Sequence, residues 1–373
     1  MEPTTPSPSR PRARDLGIFF DGTPGANNAI TDVPGVSVGY TTLIQGTGSA
    51  AVRTGVTTIL PRGRQGVGRP ATAGIHSLNG NGELTGAHWI EETGLLTLPI
   101  GITNSHAVGT VHRGVIDWVS ANHPEVAKQW MLPVVGETYD GDLNDINGPH
   151  VREEHVVEAL DSATTGAPAE GGVGGGTGMM CYEFKGGSGT SSRAVSYGTD
   201  QFHVGAFVQA NFGSREELVV SGVPLGKSLT ADLPSAAERP PGGGSVIAIV
   251  ATDAPLLPGQ CKALARRVPM GLARTGTTGS HFSGDIFLAF STGNGETLHS
   301  GYEDRPTEGS YDVARHVPWP HIDRFYAAVV QSVEEAVVNA LVAGETMVGR
   351  NGFTCPGLPI DEVLGLLAQS NRP

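Results

Sequence analysis

Two short, wholly apolar runs constrain the fold of this chain more than any other feature of its sequence. Residues 246–251 read VIAIVA and residues 286–290 read IFLAF. Each has the length of a buried strand and is too short to cross a membrane. Four other segments are predicted helices, namely residues 105–121, 151–160, 258–267 and 322–342. Buried strands interleaved with helices predict an α/β fold with layers of sheet and helix around one core.

The rest of the chain is predicted to be strands, tight turns and loops, in keeping with its 54 glycine and 26 proline residues. The further predicted strands are residues 30–40, 55–60, 179–184, 203–210 and 218–220. Residues 1–14 are polar and proline-spaced, which predicts a disordered tail, and residues 224–244 have the composition of an exposed, cleavable linker. We therefore expect a single domain over residues 15–373.

Charge and cysteine usage exclude several classes of protein. The chain has 24 Lys and Arg against 37 Asp and Glu, a net charge of -13, and no basic cluster, so nucleic acid is not an expected partner. Cys181, Cys261 and Cys355 lie far apart without CxxC spacing, which argues against a disulfide framework or a zinc knuckle. No apolar region follows the N-terminus, and no 18 apolar residues run together. These features predict a cytoplasmic protein without membrane spans.

A serine follows three glycines where the predicted linker meets the strand at residues 246–251. Attack of Ser245 Oγ on the Gly244 carbonyl, an N-to-O acyl shift and hydrolysis would leave Ser245 as a new N-terminal residue. Its free α-amine, with a reference pKa of about 7.7–8.0, can accept the hydroxyl proton near neutral pH. The spacing alone favours the plainer interpretation, a linker whose serine caps a strand.

An acidic loop at residues 136–145 is a second candidate site. It gathers Glu137, Asp140, Asp142 and Asp145 around Tyr139. Such a loop is either a solvated surface or a patch in which a carboxylate pairs with an ammonium group.

Polar residues at predicted strand ends form a third group of candidates. Asn211 directly follows the predicted strand at residues 203–210 and is either a turn former or an oxyanion donor. Ser283 and Asp285 lie just before the apolar run at residues 286–290. Turn formation is the plainer interpretation, and orientation of an attacking group is the functional one.

Other motifs point away from nucleotides and metals. The loop GGVGGGTG at residues 171–178 lacks the GK[ST] ending of a phosphate-binding loop and precedes a predicted strand, so close packing is favoured there. The twelve histidines form no HExxH or HxxxH pair, and His106 and His281 are interpreted as structural. We expect no metal and no other cofactor.

The combination of these segments resembles a known family. The stretches that carry the resemblance are ITDVPGVSVG (30–39), GVTTILPRG (55–63), ITNSHAVGTV (102–111), VGETYDGDLND (135–145), GGGTGMMCYEFKGGSGTSSR (174–193), VQANFG (208–213), GGGSVIAIVATDAPL (242–256) and SGDIFLAFSTGN (283–294). They are collinear and cover nearly the whole chain beyond the tail. On these stretches the chain is similar to the L-aminopeptidase/D-amino-acid esterase family, which includes the β-peptidyl aminopeptidases.

This resemblance implies an αββα four-layer sandwich resembling N-terminal nucleophile hydrolases, with distinct connectivity. It implies self-cleavage between Gly244 and Ser245 into residues 1–244 and 245–373, and a homotetramer of the paired fragments. The implied activity is that of a serine aminopeptidase with amidase and esterase activity. Its substrates would be small peptides, amides or esters with a free amino group.

The resemblance also implies roles for individual residues. Ser245 matches the family nucleophile, and its freed amine matches the base. Asn211 matches the oxyanion-stabilising asparagine, and Tyr139 matches a tyrosine that assists the tetrahedral intermediate. Glu137 matches the acid that holds the substrate's amino group.

Ser283 and Asp285 match the serine and the acidic residue that orient the amine of the nucleophile. β-Peptidyl members carry glutamate at the second of these positions. Because the side chain of Asp285 is shorter, neither that interaction nor a preference for β-peptides follows from the resemblance.

Two alternatives to hydrolysis follow from the same residues. An acyltransferase would use the same nucleophile but pass the acyl group to an amine instead of water. A non-catalytic binding module for amino compounds would retain the fold, with the GGGS segment and the acidic loop serving only as scaffold.

Overall fold

The computed structural model describes residues 11–232, 234, 243–295, 297–299 and 308–370. This part of the chain contains two large β-sheets, three two-stranded sheets and seven α-helices. The strands are β1 (Ser37–Gln45), β2 (Val52–Leu60), β3 (Ala71–Ser77), β4 (Leu95–Leu96), β5 (Ile100–Asn104), β6 (Val134–Thr138), β7 (Met180–Cys181), β8 (Phe184–Lys185), β9 (Gly187–Tyr197), β10 (Asp200–Asn211), β11 (Val219–Val220), β12 (Val223–Pro224), β13 (Gly244–Thr252), β14 (Ser283–Ser291), β15 (Met347–Val348) and β16 (Thr354–Cys355). The helices are α1 (Ala87–Thr93), α2 (Val108–Asn122), α3 (Glu153–Ser162), α4 (Pro258–Ala265), α5 (Val268–Arg274), α6 (Asp323–Val342) and α7 (Ile360–Ser370).

Of the two large sheets, the first has the strand order β1-β2-β5-β6, and the second has the order β4-β3-β14-β13-β10-β9. The two-stranded sheets are β7-β8, β11-β12 and β15-β16. Most neighbours are antiparallel, but β5 pairs with β6, and β13 with β14, in parallel. The parallel pair β13 and β14 lies at the centre of the second sheet and contains both apolar runs that dominate the sequence.

Alternating side chains of β13 separate two layers of core. Ile247 and Ile249 pack in the cluster between the two sheets, whereas Val246, Ala248 and Val250 pack in the cluster that contains α4, α5, α6 and α7. This is the period of two expected for a strand covered on both faces. A third cluster joins the outer face of the first sheet to α2 and α3. The layers therefore run helix, sheet, sheet, helix, and the predicted αββα architecture is confirmed.

Most predicted elements are present, with shifted ends. Residues 246–251 and 286–290 lie inside β13 and β14, and the helix predicted from residue 105 begins at Val108. The strand predicted over residues 30–40 begins only at Ser37, because residues 30–32 form a 3-10 turn. The strand predicted over residues 179–184 is broken, because Tyr182 and Glu183 adopt φ values of 52° and 59°. A positive φ at non-glycine residues is typical of tight turns.

Residues 12–14, which the sequence assigns to the disordered tail, pack against the rest of the fold. Arg12 forms an ion pair with Glu170 at 2.7 Å, Ala13 is fully buried, and Arg14 pairs with Glu335 at 2.8 Å. Burial of Ala13 beneath two flanking ion pairs attaches this segment to the fold. Residues 1–10 of the predicted tail, and residues 233 and 235–242 of the predicted linker, lie outside the described residues.

Helix α6 is the single described helix that is long and apolar enough to cross a membrane by length and composition. Its most apolar window is 78% buried inside the fold, as expected of a core helix. Glycine in β9 permits this packing, because a Cβ at Gly189 would lie 2.0 Å from the Ala336 carbonyl oxygen. The close approach explains why a strand of sequence GSGTSSRAVSY, with few large apolar residues, is nevertheless buried.

Candidate active site

The register of the second sheet brings three predicted site residues to one edge. Asn211, the last residue of β10, lies opposite Ser245 near the start of β13. In the parallel pair, Ser245 lies opposite Gly284 and Gly244 lies opposite Ser283. Residues that are up to 72 positions apart in sequence, from Asn211 to Ser283, thus occupy neighbouring positions on three adjacent strands.

Ser245 is buried, and its hydroxyl lies against the peptide bond that would be cut. Ser245 Oγ donates to the Gly244 carbonyl oxygen at 2.6 Å and accepts from the Gly284 amide at 3.2 Å. Gly244 has a φ of 155°, and a Cβ there would lie 1.8 Å from the Asn211 carbonyl oxygen. Only glycine fits this position, because any side chain would collide with the backbone of β10.

The amide group of Asn211 has a fixed orientation. Its Oδ1 accepts from the Met180 amide at 2.9 Å, and its Nδ2 donates to the Tyr139 carbonyl oxygen at 2.8 Å. Because the Met180 amide can only donate, this contact determines which atom of the side-chain amide is oxygen. Asn211 therefore keeps its nitrogen directed toward Tyr139, whose own side chain is 40% exposed.

Glu137 lies on β6, one residue before the end of the strand, and is buried. Ser105 Oγ donates to Glu137 Oε2, and the Glu83 amide donates to Glu137 Oε1 at 3.0 Å. Burial raises the pKa of the Glu137 carboxyl above its usual value, while the hydrogen bonds from Ser105 and Glu83 oppose that rise. Among the described residues, no lysine or arginine lies within ion-pair distance of Glu137.

Ser283 and Asp285 form a hydrogen-bonded pair on β14. Ser283 Oγ donates to Asp285 Oδ1 at 2.5 Å, and Asn79 Nδ2 donates to Asp285 Oδ2 at 2.9 Å. Burial raises the pKa of the Asp285 carboxyl, and the two donors act in the opposite direction. Two hydrogen bonds thus hold the Asp285 carboxyl, and the pair adjoins Gly244 through Ser283.

A cavity of about 400 Å³ opens beside these residues. Its lining residues are Asn81, Gly82, Glu83, Ser105, Glu137, Tyr139, Gly243, Gly244, Ser245 and Phe282. Four of the predicted site residues line it directly, namely Glu137, Tyr139, Gly244 and Ser245. Asn211 donates to the carbonyl oxygen of Tyr139, and Ser283 lies opposite Gly244 on the neighbouring strand. The cavity therefore has a hydroxyl on one wall and a carboxylate on another.

The acidic loop does not act as one patch. Asp140 is buried apart from the cavity lining, and Asn144 Nδ2 donates to its Oδ1 at 3.0 Å. Burial raises the pKa of Asp140 to about 7, against hydrogen bonds from Thr54 and Asn144 that lower it. Asp145 instead contacts His150 at 2.9 Å near the surface. Of the four acids in this loop, only Glu137 lines the cavity.

The glycine-rich loop has its amides directed into the fold. The amides of Gly174 and Gly175 donate to Thr42 Oγ1 and Thr57 Oγ1 at 2.9 and 3.0 Å. These bonds tie the loop to the first sheet, in agreement with the predicted packing role. In the part of the chain that the structure describes, no group of three or more His, Cys, Asp or Glu side chains is placed to hold a metal ion.

Three residues at the site were not predicted from the sequence. The sequence places Ser105 only at the start of the helix predicted over residues 105–121, although its hydroxyl contacts Glu137. Asn79 and Glu83 lie in the segment NGNGE after β3, whose glycines and asparagines indicate only a turn. No spacing rule connects this segment with β6 or β14, since the Glu83 contact depends on how the two sheets pack and the Asn79 contact depends on the pairing of β3 with β14.

Comparison with known proteins identifies the relatives of this chain. The profile of Peptidase family S58 matches residues 28–355. The beta-peptidyl aminopeptidase BapA of Sphingosinicella microcystinivorans is 46% identical over 97% of this chain and 93% of its own length. A relative of the same name from Sphingosinicella xenopeptidilytica is 43% identical over 97% of this chain and 92% of its own length.

Solved structures agree with these matches. A Burkholderia sp. beta-aminopeptidase superposes with a TM-score of 0.88 and 48% identity, over 97% of this chain and 100% of that one. The L-aminopeptidase D-Ala-esterase/amidase of Ochrobactrum anthropi, described as a variant of the Ntn hydrolase fold, gives 0.90 and 43%, over 97% and 99%. The predicted fold and the predicted class, a hydrolase that acts on peptides, are confirmed. The chain belongs to peptidase family S58.

Proposed function

We propose that this chain cuts itself between Gly244 and Ser245 and then acts as a serine aminopeptidase with amidase and esterase activity. One observation carries the proposal: Ser245 Oγ lies 2.6 Å from the Gly244 carbonyl oxygen, in the wall of a cavity that also contains Glu137. The nucleophile, the bond to be cut and a carboxylate for a substrate amine therefore adjoin one another.

Self-cleavage begins with attack of Ser245 Oγ on the Gly244 carbonyl carbon. The bond from that carbon to the Ser245 nitrogen breaks, the hydroxyl proton goes to the nitrogen, and an ester joins Gly244 to Ser245. Water then hydrolyses the ester, which leaves a carboxylate on Gly244 and a free α-amine on Ser245. The absence of a side chain at Gly244 allows the scissile bond to lie against β10.

The new α-amine is the general base for substrate cleavage. It takes the proton of Ser245 Oγ as the oxygen attacks the substrate carbonyl, and later gives that proton to the departing amine or alcohol. Ser283 and Asp285 orient the amine from the neighbouring strand. Water then releases the acyl group and restores the enzyme.

Asn211 and Tyr139 stabilise the oxyanion that forms at each attack. Asn211 Nδ2 already has one hydrogen bond, to the Tyr139 carbonyl oxygen, and has a second hydrogen for the developing charge. Removal of one such donor typically lowers kcat by about 10²–10³.

Glu137 restricts the reaction to substrates with a free amino group. Its carboxylate pairs with the substrate ammonium by a charge-assisted hydrogen bond, so a blocked amine leaves the buried charge unpaired. The names of the relatives support β-amino acids and D-alanine at the first position. Hydrolysis of β-alanine, D-alanine and L-alanine amides, each compared with its N-acetyl form, tests this proposal.

The first experiment is intact-mass analysis of the wild type beside Ser245→Ala and the exposed control Ser196→Ala. The chain of 38.6 kDa should give fragments of roughly 25 and 13 kDa, in proportion to 244 and 129 of its 373 residues. The control should be cut like the wild type, and Ser245→Ala should stay whole and inactive. A wild type that stays whole and inactive after long incubation would contradict the proposal.

The homotetramer and the cytoplasmic location stay predictions. Light scattering of the cleaved protein tests the first, with a native mass of four times 38.6 kDa expected.

A further inference from the structure

We propose that Ser105 is a positioning residue that fixes the Glu137 carboxylate in the cavity wall for pairing with the substrate ammonium. This inference rests on the proposed function, because it takes a primary amine to be the group that Glu137 receives.

The geometry gives each oxygen of Glu137 one donor from a separate segment. Ser105 directly follows β5, which pairs in parallel with β6, where Thr103 lies opposite Glu137. Ser105 Oγ donates to Oε2, and the Glu83 amide donates to Oε1. A carboxylate has about four acceptor positions, so two donors leave room for an ammonium group. Two donors from different directions fix the plane of the carboxylate.

Both donors are neutral, so they hold the carboxylate without cancelling its charge. Burial alone raises the pKa of Glu137 and favours the uncharged acid, which cannot pair with an ammonium. The donors oppose this effect. The charged groups that act on Glu137 are the Glu83 side chain, which raises its pKa, and His106, which lowers it. Since Glu83 donates through its backbone, Ser105 is the donor that a substitution can remove.

The test compares Ser105→Ala with Ser105→Thr, which keeps the hydroxyl, and with Ser162→Ala, whose hydroxyl contacts the Ala159 carbonyl oxygen on α3. Self-cleavage on a denaturing gel checks that each variant is folded. With β-alanine p-nitroanilide, Ser105→Ala should raise KM about ten-fold with kcat changed little, because a hydrogen bond to a charged group is lost. The acid limb of kcat/KM should move up by about one pH unit. Ser105→Thr should stay near the wild type.

A second measurement needs no turnover. Saturation-transfer NMR measures butylamine binding between pH 5 and 8 in the wild type, Ser105→Ala and Glu137→Gln. The expected result is strong loss of binding in Glu137→Gln, and in Ser105→Ala a dependence on pH displaced upward. Loss in Glu137→Gln with an unchanged pH dependence in Ser105→Ala would overturn the role of Ser105 alone. Equal binding by the wild type and Glu137→Gln would overturn the amine site of the proposed function, and this inference with it.

Discussion

Glu137 and Glu335 are both buried, but their negative charges have different kinds of partners. Glu335 on α6 accepts ion pairs from Arg193 at 2.7 Å and Arg14 at 2.8 Å. Glu137 in the cavity wall has hydrogen bonds from a hydroxyl and a backbone amide. The charge of Glu335 is compensated within the chain, whereas we propose that the charge of Glu137 is compensated by the ammonium group of a substrate. Burial alone does not distinguish a structural acid from a binding acid, but the charge of its partners does.

The largest effect on stability is expected from removing the charge of Glu335. Glu335→Gln removes the charge that two guanidinium groups face, and Arg193 is itself buried. Loss of one partner of a buried ion pair typically costs about 3–5 kcal/mol. Urea denaturation should show a loss of this size in the free energy of unfolding, with kcat unchanged in the folded fraction.

Glu334→Gln is the matched control on the same helix. Glu334 pairs with Arg274, whose side chain is 44% exposed. The Glu334 side chain is 12% exposed, but water reaches the guanidinium group of its partner, so we expect a loss below about 1 kcal/mol. Equal losses in the two variants would show that the contrast between the regions does not depend on burial of the pair.

The converse effect is expected at the cavity. Glu137→Gln should lower kcat/KM for amine substrates about 10–100-fold, since a hydrogen bond to a charged group is worth about 1.5–3 kcal/mol. Stability should not fall, because the substitution removes a buried charge that has no lysine or arginine partner among the described residues. Steady-state kinetics and thermal unfolding of the same samples measure both quantities. Marked destabilisation with unchanged kinetics would make Glu137 a structural acid like Glu335.

Part of this contrast could be predicted from the sequence, and part could not. β13 and β14 are wholly apolar along their cores, so periodicity and length identify them. β9 could not be recognised from its own sequence, because it is rich in glycine and serine. These small residues allow α6 to pack closely on the strand, and that helix is about 140 residues away in sequence. Local patterns describe an element's own faces and carry no information on distant partners.

The same limit applies to the candidate site. Ser245 lies at a visible junction of glycines and an apolar strand, but its proximity to Asn211 comes from the register of β10 and β13. Resemblance to the family, rather than spacing, connected these residues before the structure did. Neither the spacing nor the resemblance indicated Ser105, since its contact with Glu137 depends on the parallel pairing of β5 with β6.

Asp140 is a third buried acid, and its effect on stability is expected to depend on pH. Burial raises the pKa of Asp140 to about 7, with only neutral donors around it. The folded state therefore holds this proton more tightly than the unfolded chain, whose aspartates titrate near 3.9. Its contribution to stability is complete below about pH 4 and is lost as the pH rises toward 7, by at most about 1.4 kcal/mol per pH unit.

Asp140→Asn, which cannot ionise, should remove this loss. Its advantage in stability over the wild type should grow between pH 4.5 and 7 in a series of thermal unfolding curves. Asp361→Asn, at an exposed position in the first turn of α7, is the control and should show a constant difference over the same range. An advantage of Asp140→Asn that does not change with pH would contradict the raised pKa.

The smallest effect is expected where charge is paired but not buried. Lys128 and Glu125 lie 2.6 Å apart with side chains that are 66% and 70% exposed. Water already solvates both groups and salt screens them, so Lys128→Ala should change the free energy of unfolding by less than about 0.5 kcal/mol. Urea denaturation at low and high salt measures this, with no change in kcat/KM expected. A loss above 1 kcal/mol would mean that a short contact between opposite charges stabilises this fold even when it is exposed. The distinction between Glu335 and Glu137 would then have to rest on the distance between charged groups, and not on burial and the charge of the partner.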